Sequence, residues 1–326
     1  MPSPGGPAGA SAAVAVADPG QVGEVRRAVA AMCRSVGLDE TGEGRASIVA
    51  TEAAANLVKH GRGVEVVLNP LRRGKAVGIE VLALDRGPGT PDTAAAAIER
   101  QSNEFDVYTL PGQGTALLSR IWRAAPPATS LDLAALCVAK PGESECGDLW
   151  SFEARPGGGR IVVADGLGHG PLARDAALTA LRATWQRAPG AARALEEAHR
   201  AARGTRGAAV AVVEVDLGAQ EIRFAGFGNI AGALVGPERV QSMASMNGTA
   251  GQGRLKPREF TYPFAPGTLL VVSSDGLASD WSLEPYPGLA LRHPGLVAGV
   301  LYRDHSRRRD DVTIVAARLG TRSLSP

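Results

Sequence analysis

Apolar residues at helical spacing (Val22, Val25, Val29, Met32 and Val36) predict an amphipathic helix over 22–36. A second helix is expected over 44–60, where Gly61-Arg62-Gly63 stops it. Runs 64–68 and 77–84 read as strands joined by a turn around 72–75. A loop rich in Gly and Pro follows, then a helix near 93–100 and a poorly patterned stretch to Gly114. A helix over 115–122 and a closing strand over 131–139 complete this half. After Lys140-Pro141-Gly142-Glu143 the texture turns β-rich. Runs 149–154 and 160–164 form a hairpin around 156–159, and 208–215 and 221–225 form another around 216–220. Helices fit 172–187 and 191–202, and further strands fit 269–273 and 312–318. No internal repeat is visible. The expected organisation is a first domain at 13–139 and a second at 143–326. Residues 1–12, rich in Pro, Gly, Ala and Ser, read as a disordered tail.

Composition adjusts this picture only slightly. With 326 residues, 44% hydrophobic and 21% charged, two ordinary globular domains are expected. A formal net charge of +2 with scattered arginines gives no electrostatic case for nucleic acid. Cys33, Cys137 and Cys146 fit neither a disulfide framework nor zinc-site spacing, and read as reduced thiols of a cytoplasmic protein. No apolar run is long enough to span a bilayer, and the N-terminus lacks a signal-peptide pattern, so no membrane association is expected.

The chemistry of the second half lies in three acidic motifs. Strand 161–164 runs into Asp165-Gly166, strand 269–272 runs through two serines into Asp275-Gly276, and Asp310-Asp311 precedes strand 312–317. One Asp-Gly alone is an ordinary turn. Three such motifs on apolar strands are different, because antiparallel neighbours bring the end of one strand beside the start of the next. Asp165, Asp275 and Asp310 can thus gather at one rim. Two carboxylates about 4 Å apart repel by about 4 kcal/mol at an effective dielectric near 20. Divalent cations relieve this, and an all-oxygen set suits Mg²⁺ or Mn²⁺ rather than zinc. Two such ions would activate a water and clamp a phosphoryl group.

These motifs carry a resemblance. In order, ECGDLW (145–150), VVADGLGHGPLA (162–173), RGAAVAVVEVD (206–216), AGFGN (225–229), SSDGL (273–277) and RRDDVT (308–313) resemble the SpoIIE-like and RsbX-like metal-dependent protein phosphatases. The resemblance implies two antiparallel sheets with helices outside and hydrolysis of phosphoserine or phosphothreonine. It implies that Asp165, Gly166 (through its carbonyl), Asp275 and Asp310 bind two Mn²⁺ or Mg²⁺ ions, and that Asp148 holds metal-associated water. Many relatives have Asn where Asp311 stands. Animal-type relatives have a histidine directly after the first Asp-Gly. Leu167 occupies that place and His169 follows two residues on, so the general acid stays unassigned.

In the first half, Glu52 and Asn56 stand four apart on one helical face, which suits a base beside a metal ligand. Strand 77–84 delivers Asp85, which can accept the exocyclic amine of adenine, followed by Arg86-Gly87-Pro88-Gly89. Gly112-Gln113-Gly114 is expected to open a helix whose free N–H groups favour phosphate. ATEAAANLVKHG (50–61), DRGPG (85–89) and GQGTAL (112–117) together resemble the ATPase-fold serine kinases of anti-sigma regulation, the RsbT, RsbW and SpoIIAB group. The resemblance implies a GHKL-type α/β sandwich binding ATP with Mg²⁺. Asn56 would be the Mg²⁺ ligand, Glu52 the base that activates a substrate serine, and Asp85 the adenine reader. Gly87, Gly89, Gly112 and Gly114 would form the nucleotide loops. Gln113 and Thr115 replace leucines common in relatives.

The expected fold class is α+β, a GHKL-type sandwich followed by a phosphatase α/β/β/α sandwich. The expected function is a fused kinase-like and phosphatase switch that makes and removes phosphate on a STAS-type antagonist in sigma-factor or stress signalling. Two alternatives stay open: a phosphatase with a non-catalytic ATP-sensing domain, and an anti-sigma partner-binding module. A sigma factor or other switch protein is a candidate partner, and a homodimer is compatible with the ATPase-fold relatives.

Overall fold

The structure, a computed structural model, describes residues 9–89, 95–129, 131–185 and 189–320. One compact unit comprises Ser11–Ala128 and Ser282–Asp304; the other comprises Thr129–Trp281 and the chain from His305 onward.

The first unit contains β1 (Ala12–Val16), α1 (Val22–Val36), α2 (Glu40–His60), β2 (Val64–Arg73), β3 (Ala76–Leu84), α3 (Ala95–Gln101), β4 (Glu104–Thr109) and β5 (Thr115–Trp122). The strands form an antiparallel sheet in the order β1-β2-β3-β5-β4. Helix α1 occupies its predicted span and ends on Gly37, whose φ of 78° is the left-handed conformation glycine adopts freely. Helix α2 starts four residues before the predicted start because Asp39 caps it: Gly42 N–H donates to Asp39 Oδ1 at 2.8 Å. Val25, Val29, Val49, Ala50 and Ala53 from these helices pack on Val66, Leu68, Ile79, Val81, Leu117 and Ile121 of the sheet.

Three expectations change here. Residues 115–122 are the strand β5, not a helix. All eight are buried, and they pair with β3 on one edge and β4 on the other. A short apolar run buried on both faces has no periodicity to tell strand from helix, so its neighbours decide. Strand β4 lies in the stretch that showed no pattern. Ala12, placed in the disordered tail by composition, opens β1 opposite Leu68, while residues 1–8 of that tail lie outside the described residues.

The second unit contains β6 (Leu131–Val138), β7 (Asp148–Arg155), β8 (Gly158–Gly166), α4 (Pro171–Ala183), α5 (Ala191–Ala201), β9 (Ala208–Asp216), β10 (Glu221–Phe227), β11 (Ala231–Val235), β12 (Val240–Met243), β13 (Phe260–Pro263), β14 (Leu269–Ser273) and β15 (Val312–Leu319). Two five-stranded sheets, β13-β10-β9-β8-β7 and β12-β11-β14-β15-β6, face each other. Ile161, Val163, Val213 and Phe224 of the first meet Leu234, Leu270, Val272 and Val315 of the second in one core. Helices α4 and α5 cover the outer side of the first sheet, through Ala177, Leu181, Leu195 and Ala198 against Val162, Val210 and Val212.

The division between units differs from the expected one at two places. Strand β6, read as closing the first domain, pairs with β15 from Leu131↔Leu319 to Val138↔Val312, so the first unit's opening segment ends at Ala128. Residues 282–304, expected in the second domain, cluster with the first unit. They include most of α6 (Pro294–His305), which lies on the sheet face opposite α1 and α2. Gly295 and Gly299, one turn apart, allow the close approach. A Cβ at 295 would come 2.4 Å from Leu118 Cδ1, and one at 299 would come 3.1 Å from Leu84 Cδ2. Tyr302 Oη donates to Glu65 Oε1 at 2.8 Å.

Candidate metal centre and nucleotide loop

The acidic motifs converge because of strand pairing. Asp148 and Asp165 are direct cross-strand partners at the β7–β8 end of their sheet. Asp275 follows β14, Asp310 precedes β15, and these strands are antiparallel neighbours. The glycines let backbones touch: a Cβ on Gly276 would lie 2.0 Å from Asp311 O, and one on Gly166 would lie 1.9 Å from Ala173 O. Asn229 Nδ2 donates to Asp275 Oδ2 at 2.6 Å. Ser274 Oγ donates to Asp148 Oδ2 at 2.6 Å and accepts from Thr313 N–H at 2.9 Å. Asp311 is buried and accepts from Lys140 N–H (2.8 Å) and Gly147 N–H (2.9 Å), so it ties down the loop before β7.

Asp165 is pushed up to about 9, first by burial and then by the charges of Asp148, Asp275 and Asp310. Asp148 is pushed up to about 7 by burial, against the Ser274 hydrogen bond, with Asp311 adding to the rise. The charges that act most strongly on Asp165 are therefore those of other carboxylates. Such an oxygen-only set fits Mg²⁺ or Mn²⁺. Among the described residues no three His, Cys, Asp or Glu side chains converge tightly enough to chelate an ion alone. Backbone carbonyls and water would complete each shell, which suits a small hard cation that keeps much of its hydration. His169 Nδ1 lies 2.7 Å from Glu143 Oε1 in a partly exposed pair, and Leu167, at the position after the first Asp-Gly, is exposed.

In the first unit Asp85 is buried at the end of β3. Its Oδ1 accepts from Gly87 N–H at 2.5 Å and its Oδ2 from Thr115 N–H at 3.0 Å. Burial raises its pKa against these bonds. The end of α2 abuts this loop: a Cβ on Gly61 would lie 2.9 Å from Asp85 Cβ, and Arg86 N–H donates to Arg62 O at 2.7 Å. Asn56 is half-buried one turn before that end, and Glu52 is exposed one turn earlier. Gly89 and Gly114 both have positive φ, and a Cβ on either would overlap a carbonyl oxygen, of Leu110 at 2.1 Å and Asp85 at 1.9 Å respectively.

One part of this site needs correction. Gly112-Gln113-Gly114 does not open a helix, because it is the turn of the β4–β5 hairpin. Gly112 N–H donates to Pro88 O at 2.9 Å, so the turn backs onto the Asp85–Gly89 loop. The helix N-terminus expected to seat phosphate at Gly112 and Gly114 is replaced by strand β5. Asn229, Ser274 and Arg303, the last bonded to Asp85 O, were not singled out from sequence. The AGFGN and SSDGL motifs contain the first two, while nothing local marks Arg303.

No curated protein matches the chain. A solved structure from work on the bacterial stressosome, a modular system adapted to control secondary messenger signaling, is 27% identical with TM-score 0.54, covering 58% of this chain and 100% of that one. The RsbU and RsbW domains of Rv1364c from Mycobacterium tuberculosis are 21% identical with TM-score 0.51, covering 61% of this chain and 63% of that one. The PP2C phosphatase domain of SpoIIE from Bacillus subtilis, with a fragment of its regulatory domain, is 16% identical with TM-score 0.50, covering 92% of this chain and 98% of that one. The last two similarities concern the fold. Residues 15–125 match the histidine kinase-like ATPase domain. Residues 155–320, just over half of the chain, match Stage II sporulation protein E, and the chain belongs to that SpoIIE family, with a histidine kinase-like ATPase domain ahead of its phosphatase fold.

Proposed function

We propose that the chain is a serine/threonine phosphatase that uses two Mn²⁺ or Mg²⁺ ions to dephosphorylate a STAS-type antagonist in a sigma-factor or stress switch. The observation that carries this is the rim itself: Asp148 and Asp165 face each other across β7 and β8, Asp275 ends β14 and Asp310 precedes β15, and the charges of Asp148, Asp275 and Asp310 all bear on Asp165. Asp165, Gly166 O, Asp275 and Asp310 would hold the ions and Asp148 would orient water. When bound, the ions supply water activation and charge neutralisation at the phosphoryl group. The protein's own share is placement: Asn229 steadies Asp275, and Ser274 keeps Asp148 turned into the rim. The stressosome, RsbU and RsbW similarities support a signalling partner of this class.

For the first unit, the hairpin at Gly112–Gly114 favours ATP sensing over phosphoryl transfer, because no helix N-terminus seats the phosphates there. In this reading Asn56 carries Mg²⁺ and Asp85 reads adenine, flanked by Gly87 and Gly89, and Glu52 does not act as a base. The test uses the full chain with a phosphoserine STAS protein, with and without Mn²⁺. Asp275→Asn is expected to cut Mn²⁺-dependent phosphate release by about 10²–10³-fold, the usual scale for losing one key electrostatic group, while ATP binding persists. Undiminished release would sink the metal-site assignment. Label passing from γ-³²P-ATP to the STAS protein, and lost in Glu52→Ala, would restore the two-headed kinase–phosphatase reading.

A further inference from the structure

Asp85 is gripped at its backbone by a residue far away in sequence. Arg303 Nη1 donates to Asp85 O at 2.8 Å across a separation of 218 residues. Arg303 sits near the end of α6 and is 3% exposed. Its remaining donors lock onto the next residue: Nε reaches Asp304 Oδ1 at 3.0 Å and Nη2 reaches Oδ2 at 2.6 Å. Asp304 also accepts from Tyr286 Oη at 2.9 Å and pairs with Arg86 Nε at 3.2 Å. Burial would raise the Asp304 pKa, but Arg303, Tyr286 and Arg86 outweigh it and hold the carboxyl below its usual range. Arg303 and Asp304 thus clamp two successive residues, Asp85 and Arg86.

The hairpin turn crowds the same carbonyl. A Cβ on Gly114 would stand 1.9 Å from Asp85 O, so the turn packs directly against it. The Asp85 carbonyl therefore meets both a close-packed turn and a charged donor. A bidentate guanidinium–carboxylate pair fixes direction as well as distance. Without Arg303 the carbonyl would lose this donor, and Asp304 would keep only Tyr286 Oη and the more exposed Arg86.

We propose that Arg303, oriented by Asp304, is a positioning residue that sets the angle from which the Asp85 carboxylate reads a nucleobase, and so determines preference for ATP over GTP. The proposal rests on the reading that the Asp85 loop binds nucleotide. Adenine offers an amine donor where guanine offers a carbonyl acceptor. A fixed carboxylate accepts from the first and repels the second, whereas one free to turn discriminates less. The clamp belongs to the stretch joining two acidic motifs of the SpoIIE region, and Asp304 lies six residues before Asp310.

The experiment displaces trinitrophenyl-ATP from the full chain with ATP or GTP in the presence of Mg²⁺. It compares wild type, Arg303→Ala, Arg303→Lys and Asp304→Asn, with circular dichroism to check folding. Wild type is expected to prefer ATP. Arg303→Ala should weaken ATP about tenfold, the effect of about 1.4 kcal/mol, and leave GTP nearly unchanged. Arg303→Lys, which keeps a donor for the carbonyl, should recover part of the preference. An equal loss for both nucleotides, or no loss, would overturn the proposal. If Arg303→Ala does not fold, the same ratio in the lysine and asparagine variants decides. A wild type that binds neither nucleotide would overturn the nucleotide-site reading and this proposal together. A binding wild type with an unchanged ratio in the variants would overturn this proposal alone.

Discussion

The acidic rim and the candidate nucleotide loop are built in different ways. At the rim, each acid stands at the end of its own apolar strand, and antiparallel pairing brings the ends together. At the nucleotide loop, Asp85 also ends a strand, but what holds it comes from a hairpin turn and from a helix inserted 218 residues later. The rim is assembled by the sheets that carry its motifs. The loop depends on a segment that no nucleotide-binding motif contains, so the first unit is not a module that ends where its own sequence pattern ends.

The strongest way to break this contrast is to remove that segment. Residues 11–128 produced alone lack α6 and bare the face formed by Leu82, Leu84 and Leu118. A fully buried leucine contributes roughly 1.5–3 kcal/mol, against a total of about 5–15 kcal/mol for a whole domain. The fragment is expected to show no cooperative melt and to aggregate, and joining residues 282–304 to it should restore a transition. A sharp melt of 11–128 alone would show that the inserted helix is dispensable.

A smaller effect separates the two glycines of the hairpin turn. Gly112 and Gly114 both have positive φ, 77° and 84°, which costs other residues about 1–2 kcal/mol. Gly112 faces open space, whereas a Cβ at Gly114 collides with Asp85 O. Gly112→Ala is expected to lower Tm by a few degrees, roughly 2–4 °C per kcal/mol for a unit of this size. Gly114→Ala should lower it further and weaken ATP binding, and equal behaviour of the two variants would remove the contact with Asp85 from the account.

The mildest test concerns pH and sharpens the rim. Asp165 is raised to about 9 when folded, above an unfolded carboxylate near about 3.9. Between these values the folded metal-free protein keeps a proton that the unfolded chain has released. Stability without metal is therefore expected to fall as pH rises through that window. A divalent ion takes the proton's place, so Mn²⁺ should bind more tightly towards the alkaline side and flatten the trend. Tm measured from about pH 5 to about pH 8, with and without Mn²⁺, checks this. Asp165→Asn should lessen the metal-free slope, and a metal-free Tm that climbs with pH would contradict the crowded-carboxylate picture.

Much of the architecture is legible where an exposed face or a turn marks the element. The span of α1 can be read from its period because one face is exposed, and the hairpins β7–β8 and β9–β10 from the turn residues between apolar runs, although β8 and β9 are almost wholly buried. Strand β5 reads as a helix in the sequence because it is buried throughout and shows no strand period. Helix α6 left no periodic pattern because Pro294 to Arg303 are all buried. Strand β6 is legible as a strand, but only its pairing with β15 determines which sheet it joins.

The aspartates of the rim, the glycines that follow two of them and the apolar strands that carry them are all legible in the sequence. These are local features, since a strand's end and its terminal residue are written side by side. The tertiary structure alone decided that 115–122 is a strand, that residues 282–304 complete the first unit, and that Arg303 holds Asp85. Each of those depends on which partner covers a buried face or meets a buried charge. Contacts between residues so far apart along the chain exist only once the chain has folded.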